Sequence, residues 1–550
     1  MKTLLSINKK TQKQFDANFI FQLKIKLIRI RKKILLSILF LLMSIFSFGQ
    51  KNDIEVSILE KTMGHGLKDS SIVIQGTEVF FPERIHEFFL DSTSDFLTVQ
   101  LRGVSKNGKW LDNSGQIVQY DLANKKVLWS KKINYQTSNL LQFSNSMILT
   151  VGNKSFCLDV KTGENLWEVK DDIYYVDPIS NIGLGYTFKS TTGYSNDLEG
   201  VDLLSGKIVW KRNLNREYGW NRVFRSNDST LIVVAGGLHS INLRTGKGWD
   251  YTTPTGKKDY KETAALNVVG IAAGLLTGGF FMTTGYNLVR DLISNVLIDS
   301  TSIYMASREQ LAKIDKESGE IRWKVSFPKD AGKSSIFMND SIIYMINKGM
   351  AFMGSRQLNF GTPFFAAFNR KTGEQKFLSM LDEKNNPVLD FQTIKNELYL
   401  AMKNKLMRIS VETGNKEVEK EYSKDSINEL KYFVGNQLFV PNVNNDFESL
   451  TQIDSTKIYL YTNQNKVLEI NENMNITNTY DFKDLNILYH WINNYKLIAK
   501  DAKTFIIDKM GMPIYEIEAT SDAFMIGDKL YNKQVNRFIE IDLKEVFKKE

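Results

Sequence analysis

The chain has 550 residues, of which 42% are hydrophobic, and a formal net charge of +9. Ten of its Lys and Arg residues and a single acid, Asp16, lie in residues 1–49, so bases and acids balance in the rest of the chain. This balance excludes a general basic field for binding nucleic acid. Length alone suggests several domains, but an internal repeat, described below, favours one closed architecture.

Residues 1–49 have the pattern of a signal peptide with an amino-terminal extension. The basic cluster RIRKK ends at Lys33, the apolar run ILLSILFLLMSIF covers residues 34–46, and Ser47 and Gly49 precede Gln50 at positions −3 and −1. The run is shorter than the roughly 20 residues that span a bilayer. We expect cleavage before Gln50, with a retained amino-terminal anchor as the alternative. The exported protein is predicted to be periplasmic or extracellular.

Cys157 is the only cysteine. No intrachain disulfide can form, and no cysteine lies at the predicted cleavage site to take a lipid, so the protein is not expected to be a lipoprotein. Cys157 itself is expected to fill space in a strand.

The stretch LDVKTGENLWEVK, residues 158–170, returns with changes from residues 201, 241, 314 and 368. Each copy predicts two strands joined by a tight turn, in which Asp159 accepts backbone N–H bonds and Gly163 adopts a positive φ. Two further strand-like runs precede each turn, at a period of about 40 residues. The sequence therefore predicts an all-β fold: a single β-propeller of four-stranded antiparallel blades over residues 50–550, with eight blades, or seven as the alternative.

An aromatic residue follows each turn at a constant position, as in the spacing from Asp159 to Trp167. A large ring at one point of each sheet is what packing between blades requires. We expect these aromatic residues and the turn glycines to dock neighbouring blades: Trp129, Trp167, Trp210, Trp249, Trp323 and Phe377, with Gly163, Gly206, Gly246, Gly319 and Gly373.

The pattern D-x-x-[TS]-G-x-x-x-W resembles the tryptophan-docking motif of the pyrroloquinoline quinone (PQQ)-like repeat family. Copies are clear over residues 115–380 and weaker beyond. The family includes quinoprotein dehydrogenases and a non-enzymatic lipoprotein of outer-membrane β-barrel assembly, and the resemblance to the second group is the closer one. A last strand, FIEIDLKEVF, is expected to close the ring together with DIEVSIL from Asp53.

Four insertions interrupt the repeat, at residues 102–115, 188–198, 252–291 and 348–362. Counting strands places all four on one face of the disc, which we therefore predict to be the functional face. Neutral variation of loop length is the alternative. The aromatic residues Trp110, Tyr194, Phe352 and Phe360 in these loops are candidates for stacking on sugars.

The longest insertion, residues 252–291, is hydrophobic and rich in glycine, and its segment 263–289 has no charged residue. Glycines spaced by four resemble the close-packing pattern of helices in lipid. A helical hairpin is predicted here, and it either contacts a membrane or a membrane partner or packs on the propeller. The candidate contact residues are Gly270, Gly274, Gly278, Phe280 and Phe281.

No catalytic, cofactor-binding or metal-binding residue is predicted. The alcohol-oxidising relatives use an adjacent cysteine pair, which one cysteine cannot provide, and His65, His86, His239 and His490 have no metal-ligand spacing. The sequence therefore predicts a monomeric, non-catalytic scaffold that binds a protein partner in the cell envelope and needs no cofactor. The alternatives are a secreted propeller that binds a glycan or small molecule and, with less support, a PQQ-dependent dehydrogenase.

Overall fold

The protein is represented by a computed structural model. It describes residues 54–91, 95–105, 107–108, 110–143, 146–189, 193–216, 222–258, 288–327, 330–353, 356–382, 386–422, 430–434, 438–440, 451–452, 458–492, 494–500 and 502–547. Residues 1–49, predicted to be a signal peptide, and the residues of the predicted helical hairpin from 263 to 287 lie outside this set.

The described chain is almost entirely antiparallel β-structure. It begins with a hairpin, β1 (Ser57–Gly66) and β2 (Val73–Phe80). Four-stranded groups follow, in each of which we name the strands A to D in sheet order. The first three groups are β3 (Arg84–Asp91), β4 (Phe96–Val104), β5 (Leu111–Asp121), β6 (Lys126–Asn134); β7 (Ser138–Phe143), β8 (Ser146–Val151), β9 (Lys154–Leu158), β10 (Asn165–Val169); and β11 (Asp172–Asp177), β12 (Ile182–Lys189), β13 (Gly193–Asp202), β14 (Ile208–Asn213).

Groups 4 to 6 contain strands that are additional to the four of each group. Group 4 contains β15 (Arg222–Asn227), β16 (Thr230–Ala235), β17 (Gly237–Asn242) and β18 (Asp250–Thr252), and it is followed by the accessory strands β19 (Lys257–Lys258) and β20 (Leu288–Arg290). Group 5 contains β21 (Leu297–Ile298), β22 (Ser302–Ala306), β23 (Gln310–Asp315) and β24 (Ile321–Ser326). Group 6 contains β25 (Ser334–Met338), β26 (Ile342–Asn347), β29 (Phe364–Asn369) and β30 (Gln375–Met380), with the hairpin β27 (Met350–Met353) and β28 (Arg356–Asn359) inserted.

Groups 7 to 10 complete the chain. Group 7 contains β31 (Asp390–Ile394), β32 (Glu397–Ala401), β33 (Lys405–Ser410) and β34 (Lys416–Glu421). Group 8 contains β35 (Leu430–Val434), β38 (Ile458–Thr462), β39 (Lys466–Ile470) and β40 (Ile476–Asp481), with β36 (Leu438–Val440) and β37 (Thr451–Gln452) inserted. Group 9 contains β41 (Asn486–Ile492), β42 (Tyr495–Lys500), β43 (Lys503–Ile507) and β44 (Pro513–Ile517), and a 3-10 helix (Phe482–Asp484) precedes it. Group 10 contains β45 (Phe524–Ile526), β46 (Lys529–Lys533) and β47 (Arg537–Asp542), which the helix α1 (Lys544–Phe547) follows.

The amino-terminal strand β2 closes the ring as strand D of group 10. It pairs with β47, for example Glu78 with Ile539, while β1 lies between β2 and β44. The predicted closure by both ends of the chain is therefore present, but the partner of the last strand is β2 and not the segment from Asp53. Strand β1 joins groups 9 and 10, together with β36 and β37, in one eleven-stranded sheet.

Apolar clusters lie between consecutive groups around the whole ring. Ile117 and Leu149 join groups 1 and 2, and clusters of the same kind follow at each later junction. Val99 packs in one cluster with Phe538, which joins group 1 to group 10. The fold is an all-β propeller, as predicted.

Ten four-stranded groups are described where the sequence predicted eight blades. The C–D turns of groups 7, 8 and 9 lack the tryptophan of the motif, and Phe377 replaces it in group 6. Since two groups share one sheet through β1, strand pairing alone does not define ten separate blades. The blade number stays a prediction.

Candidate partner-binding face

The two faces of the ring are made by different connections. The A–B and C–D turns form one face, here the turn face, and the B–C turns and the D-to-A connections between groups form the other, here the loop face. The C–D turns are short and alike: in group 2 the Asp159 carboxylate accepts bonds from the N–H groups of Lys161 (2.9 Å) and Thr162 (2.8 Å), and Gly163 has a φ of 71°. The predicted turn chemistry is present.

All four predicted insertions lie in connections of the loop face. Residues 102–115 extend the β4–β5 turn, residues 188–198 extend the β12–β13 turn, and residues 348–362 contain the β27–β28 hairpin between strands B and C of group 6. The segment 252–291 follows strand D of group 4. The loop face therefore carries these four insertions, while a further insertion, which holds β36 and β37, lies in the A–B connection of group 8 on the turn face.

Two of these insertions combine into one accessory sheet with the strand order β19-β20-β27-β28. Lys258 pairs with Leu288, Val289 pairs with Met353, and Met353 pairs with Arg356. The accessory sheet thus joins the root of the long hydrophobic insertion to the hairpin of group 6. This pairing was not predicted.

A small apolar cluster and one buried amide hold the accessory sheet to the ring. Val289, Leu292 and Ala351 are buried together. The Asn347 side chain, which is fully buried, accepts a bond from the Gly332 N–H (2.9 Å) and donates one to the Thr362 carbonyl (2.7 Å). Because both ends of the hairpin insertion are tied at this amide, the accessory sheet has a defined position on the loop face.

The strands of the accessory sheet contain four basic residues and no acid: Lys257, Lys258, Arg290 and Arg356, all exposed. Two acids lie nearby within the described residues. Asp291 pairs with Lys333 at 3.2 Å, and Asp330 lies 3.5 Å from Arg308 and 3.9 Å from Lys257. The accessory sheet is therefore a positively charged element on a chain whose mature part is predicted to be neutral.

Lysines lie over aromatic rings beside the accessory sheet. The Lys333 ammonium is 5.0 Å from the centre of the Phe352 ring, and that of Lys257 is 5.8 Å from the centre of the Phe360 ring. Phe352 and Phe360 are partly buried in this arrangement, so cation–π contacts account for these two sugar-stacking candidates. The side chain of Tyr194, a third candidate, lies outside the described residues.

The fourth candidate, Trp110, is 73% exposed near the tip of the β4–β5 hairpin. The tip is closed by Ser105, whose N–H donates to the Trp110 carbonyl (2.8 Å) and whose hydroxyl accepts from the Trp110 N–H (3.1 Å). At the base of the hairpin the Arg102 guanidinium lies 5.1 Å from the Tyr135 ring centre, and burial raises the pKa of Tyr135. The hairpin thus presents one indole to solvent from an ordered base.

The predicted docking residues contact the C–D turn of the next group. Each tryptophan indole N–H donates to the carbonyl of the second residue of that turn, at 2.6–3.2 Å: Trp129 to Val160, Trp167 to Leu203, Trp210 to Leu243, Trp249 to Lys316 and Trp323 to Arg370. Each ring also lies against the turn glycine, so closely that a β-carbon there would come within 2.8 Å of it: Gly163, Gly206, Gly246, Gly319 and Gly373. Phe377 lies in the same way against Gly414 but has no N–H to donate. These contacts lie on the turn face.

Group 4 departs from the pattern. Its turn runs from Asn242 to Trp249, one residue shorter than the others, and β18 pairs only with residues 237–239 of β17. The Arg212 guanidinium from group 3 fills the edge, donating to the Ser240 carbonyl (2.6 Å) and the Asp250 carboxylate (2.6 Å). A polar cleft of about 450 Å³ remains on the turn face, lined among others by Asn227, Thr230, Asn242, Thr245, Trp249 and Ser318.

His239 in group 4 and Cys157 in group 2 are buried ionisable side chains. His239 is buried and bonds Asp250 at 2.6 Å, and burial lowers its pKa. Cys157 is buried in β9, where burial raises the pKa of its thiol. Among the residues that the structure describes, no group of three or more His, Cys, Asp or Glu side chains is placed to hold a metal ion.

One buried acidic pair stands out between groups 2 and 3. Asp171 is 1% exposed and accepts a bond from the Thr187 hydroxyl (2.8 Å), with the buried Glu199 beside it and Lys211 bonded to Glu199 at 2.7 Å. Burial, and then the neighbouring Glu199, raises the pKa of Asp171 to about 7. The sequence analysis did not single out this pair, because its members lie in different strands.

The candidate membrane or partner residues Gly270, Gly274, Gly278, Phe280 and Phe281 lie outside the described residues. Within the described part of the chain, no helix has the length and apolar character needed to cross a bilayer.

A family model described as outer membrane protein assembly factor BamB matches residues 103–325. This segment consists of PQQ-like repeats. The predicted resemblance is therefore confirmed for residues 103–325, which include the tryptophans from Trp129 to Trp323. The predicted range of 115–380 continues beyond the matched segment.

Several solved structures with a similar arrangement have low sequence identity to this chain. BamB from Moraxella catarrhalis is 14% identical, with 70% of this chain and 95% of that chain covered and a TM-score of 0.34. The dihydro-heme d1 dehydrogenase NirN is 9% identical (78% and 79% covered, TM-score 0.32), and the carboxy-terminal WD40 domain of Sif2 is 10% identical (69% and 93% covered, TM-score 0.32). No curated protein matches the chain.

Proposed function

We propose that this protein is an exported, non-catalytic β-propeller that binds a protein partner in the cell envelope through its loop face. The observation that carries the proposal is the accessory sheet: two of the four loop-face insertions pair with each other to build it. Binding residues are commonly found in loops that a rigid scaffold positions. A rigid ring that positions an accessory sheet on its loop face fits a scaffold for recognition.

The family match also supports a scaffold function. The model that matches residues 103–325 is described as an outer membrane protein assembly factor, which is a role in assembly and not in a chemical reaction. The single cysteine also rules out the adjacent cysteine pair of the alcohol-oxidising relatives. We therefore propose a scaffold without a cofactor, acting as a monomer.

The proposed location follows from the amino terminus. A basic cluster, a 13-residue apolar run and small residues before Gln50 support export and cleavage, so we propose that the mature protein acts in the periplasm or outside the cell. We further propose that the uncharged segment 263–289 gives the protein peripheral contact with a membrane, through Gly270, Gly274, Gly278, Phe280 and Phe281.

A second candidate function is binding of a glycan or small molecule. The polar cleft beside Trp249 favours it, because hydroxyl and amide groups around one indole suit a sugar. This cleft lies on the turn face, whereas the sequence analysis expected such a ligand on the loop face.

Pull-down from envelope extracts with surface variants separates these functions. Trp110→Ser changes an exposed apolar residue of the loop face, and Leu204→Ser, a matched control, changes one that is 75% exposed on the turn face. The proposal expects one protein to be retained by wild type and by Leu204→Ser and to be lost or depleted with Trp110→Ser. Equal retention by both variants contradicts a loop-face site at this hairpin. A hit on a glycan array that Asn242→Ala abolishes, without a retained protein, favours the second candidate.

A further inference from the structure

We propose that the side chains of Asp171 and Glu199 share one proton and, while they hold it, keep the loop-face end of the junction between groups 2 and 3 closed. Loss of the proton opens this end, at the base of the insertion 188–198. The pair acts at the loop face whatever partner binds there, so it does not depend on the proposed function.

The two acids lie at the loop-face end of the junction. Asp171 is in the D-to-A connection from β10 to β11, and Glu199 is in strand β13, directly after the insertion 188–198. Thr187 is the last residue before that insertion, and its hydroxyl donates to the Asp171 carboxylate at 2.8 Å. Both ends of the insertion are therefore next to the same pair of acids.

Strand pairing sets the two carboxyl groups side by side. Glu199 pairs with Gly185 in β12, and a β-carbon on Gly185 would lie 3.1 Å from the β-carbon of Asp171. Because glycine has no side chain, the space above Gly185 is open to Asp171, whose carboxyl comes within hydrogen-bonding reach of Glu199. A hydrogen bond between two carboxyl groups requires a proton on one of them.

Burial makes this proton necessary. Asp171 is 1% exposed and Glu199 is 4% exposed. The Thr187 hydroxyl occupies one oxygen of Asp171, while the buried second oxygen, Oδ2, accepts no hydrogen bond from the described residues. An ionised carboxylate without a donor is costly to bury, and a second carboxylate beside it adds repulsion. Burial, and then the neighbouring Glu199, accordingly raises the pKa of Asp171.

The surrounding charges do not balance two ionised acids. The Lys211 ammonium lies 2.7 Å from the Glu199 carboxylate and 3.7 Å from that of Asp197, so it already serves two carboxylates. The charged residues next to the pair in sequence are Lys170, which is exposed, and Asp172, which is partly buried. With both members of the pair ionised, Lys211 would have three carboxylates to neutralise.

The side chains of group 2 that pack at this junction are uncharged. Cys157 and Val169 belong to its apolar cluster, and burial raises the pKa of the Cys157 thiol. The buried Ser155 hydroxyl donates to the Asp171 carbonyl at 2.8 Å and accepts from the Ile173 N–H at 3.0 Å. Asp171 is thus tied to group 2 through its backbone and to group 3 through its carboxyl, so a movement of this carboxyl acts on the contact between the groups.

Loss of the proton to water favours the open junction. Once both carboxyl groups are ionised, they gain solvation by moving apart, and water reaches the oxygen of Asp171 that has no donor. The movement separates the Thr187 hydroxyl from Asp171 and frees the base of the insertion. Since the open state binds the proton less tightly than the closed state, the closed-to-open ratio falls about tenfold for each pH unit between the two pKa values.

Hydrogen–deuterium exchange of the purified exported protein at pH 5.5 and pH 8 tests the proposal. Mass spectrometry follows exchange in peptides that cover residues 169–173 and 182–202, and each rate is normalised to its intrinsic value so that only protection is compared. EDTA in the buffers keeps metal ions from replacing the proton. The test variants are Asp171→Asn and Glu199→Gln, and the matched control is Glu168→Gln, an acid of group 2 whose side chain is 53% exposed.

Wild type is expected to lose protection in both regions by about tenfold or more between pH 5.5 and pH 8, while peptides from groups 5 and 6 keep theirs. Asp171→Asn keeps an acceptor for Thr187 and can donate its amide to Glu199, and Glu199→Gln can donate to the Asp171 oxygen. Both variants should therefore hold their pH 5.5 protection at pH 8. Glu168→Gln should follow wild type.

Equal protection of wild type at both pH values overturns the proposal. A loss of protection that persists in Asp171→Asn also overturns it, because another group would then titrate. A loss of the same size in groups 5 and 6 does so too, because the whole ring would then loosen. Melting temperatures at pH 5.5 confirm that each variant is folded, and if Asp171→Asn is not, Glu199→Gln decides in the same way.

Discussion

The contact between Trp210 and the turn of group 4 offers the sharpest test of the docking role that we propose for the tryptophans. Trp210 is 8% exposed, its indole N–H donates to the Leu243 carbonyl at 2.6 Å, and its ring lies against Gly246. Removing a buried ring of this size costs about 3–5 kcal/mol, a value that includes the cavity left behind. The lost indole bond accounts for about 1 kcal/mol of it.

This free energy converts into a measurable melting shift. For a mature chain of about 500 residues the entropy of unfolding is about 1 kcal/mol per degree, so Trp210→Ala is expected to lower Tm by about 3–5 °C. Trp110→Ala is the control, because its ring is 73% exposed and docks on no turn. Differential scanning calorimetry of both variants measures the difference. Equal Tm values for Trp210→Ala and wild type would refute the docking role.

The glycine on the other side of the contact makes the test specific. Gly246 has a φ of 70°, and a β-carbon there would lie 2.6 Å from the Trp210 ring. Gly246→Ala therefore combines backbone strain of about 1–2 kcal/mol with a clash against the indole. In the Trp210→Ala background the clash is gone and only the strain remains. Gly246→Ala should therefore lower the free energy of unfolding less in this background than in wild type. Strict additivity of the two free energies would mean that ring and glycine do not touch.

Three further predictions follow from the same structure and sequence. Phe377→Trp should raise the free energy of unfolding, measured in urea, by up to about 1 kcal/mol, because an indole N–H can reach the Val411 carbonyl. This carbonyl is at the position that accepts from the other five rings. Phe377→Leu should lower the free energy of unfolding. The pKa of Asp171 is raised in the folded state, so its contribution to the free energy of unfolding is present below the unfolded pKa near 4 and is lost as pH rises through about 7. Asp171→Asn removes this titration. The variant should therefore be more stable than wild type at pH 8 and lose that advantage near pH 4. Amino-terminal sequencing of the exported protein should begin at or near Gln50, and a start near residue 1 contradicts export with cleavage.

The repeat could be predicted from sequence because its turns use local chemistry. An acceptor such as Asp159 bonds N–H groups two and three residues on, and a glycine takes the positive φ four residues on. Where the turn is made differently, the pattern fails. Met474 occupies the positive-φ position in group 8, with a φ of 60°, so the turn there does not show the motif.

The accessory sheet could not be predicted for the opposite reason. Its strands are two to four residues long, and their partners, such as Val289 and Met353, lie far apart in the sequence. Two consecutive lysines, Lys257 and Lys258, lack the alternation of apolar and polar residues that indicates a strand. Pairing of this kind follows from where the ring places the ends of two loops, which is a property of the tertiary structure.

Docking also explains why the C–D turns stay short. Every docking tryptophan reaches the C–D turn of the next group, where one carbonyl accepts its N–H at 2.6–3.2 Å and one glycine lies in van der Waals contact with its ring. A longer C–D turn would displace both partners, so turn length on that face is tied to the stability of the ring. Even the turn of group 4, one residue shorter, keeps its ring contact and needs Arg212 to complete the edge.

The B–C turns and D-to-A connections carry no docking contact of this kind. They can therefore lengthen without loosening the ring, as the β4–β5 hairpin and the accessory sheet do. Loop-closure entropy grows only slowly with length, so such insertions add little cost. If the loop face binds the partner as proposed, substitution of Trp110 should alter binding while leaving the melting temperature close to that of wild type.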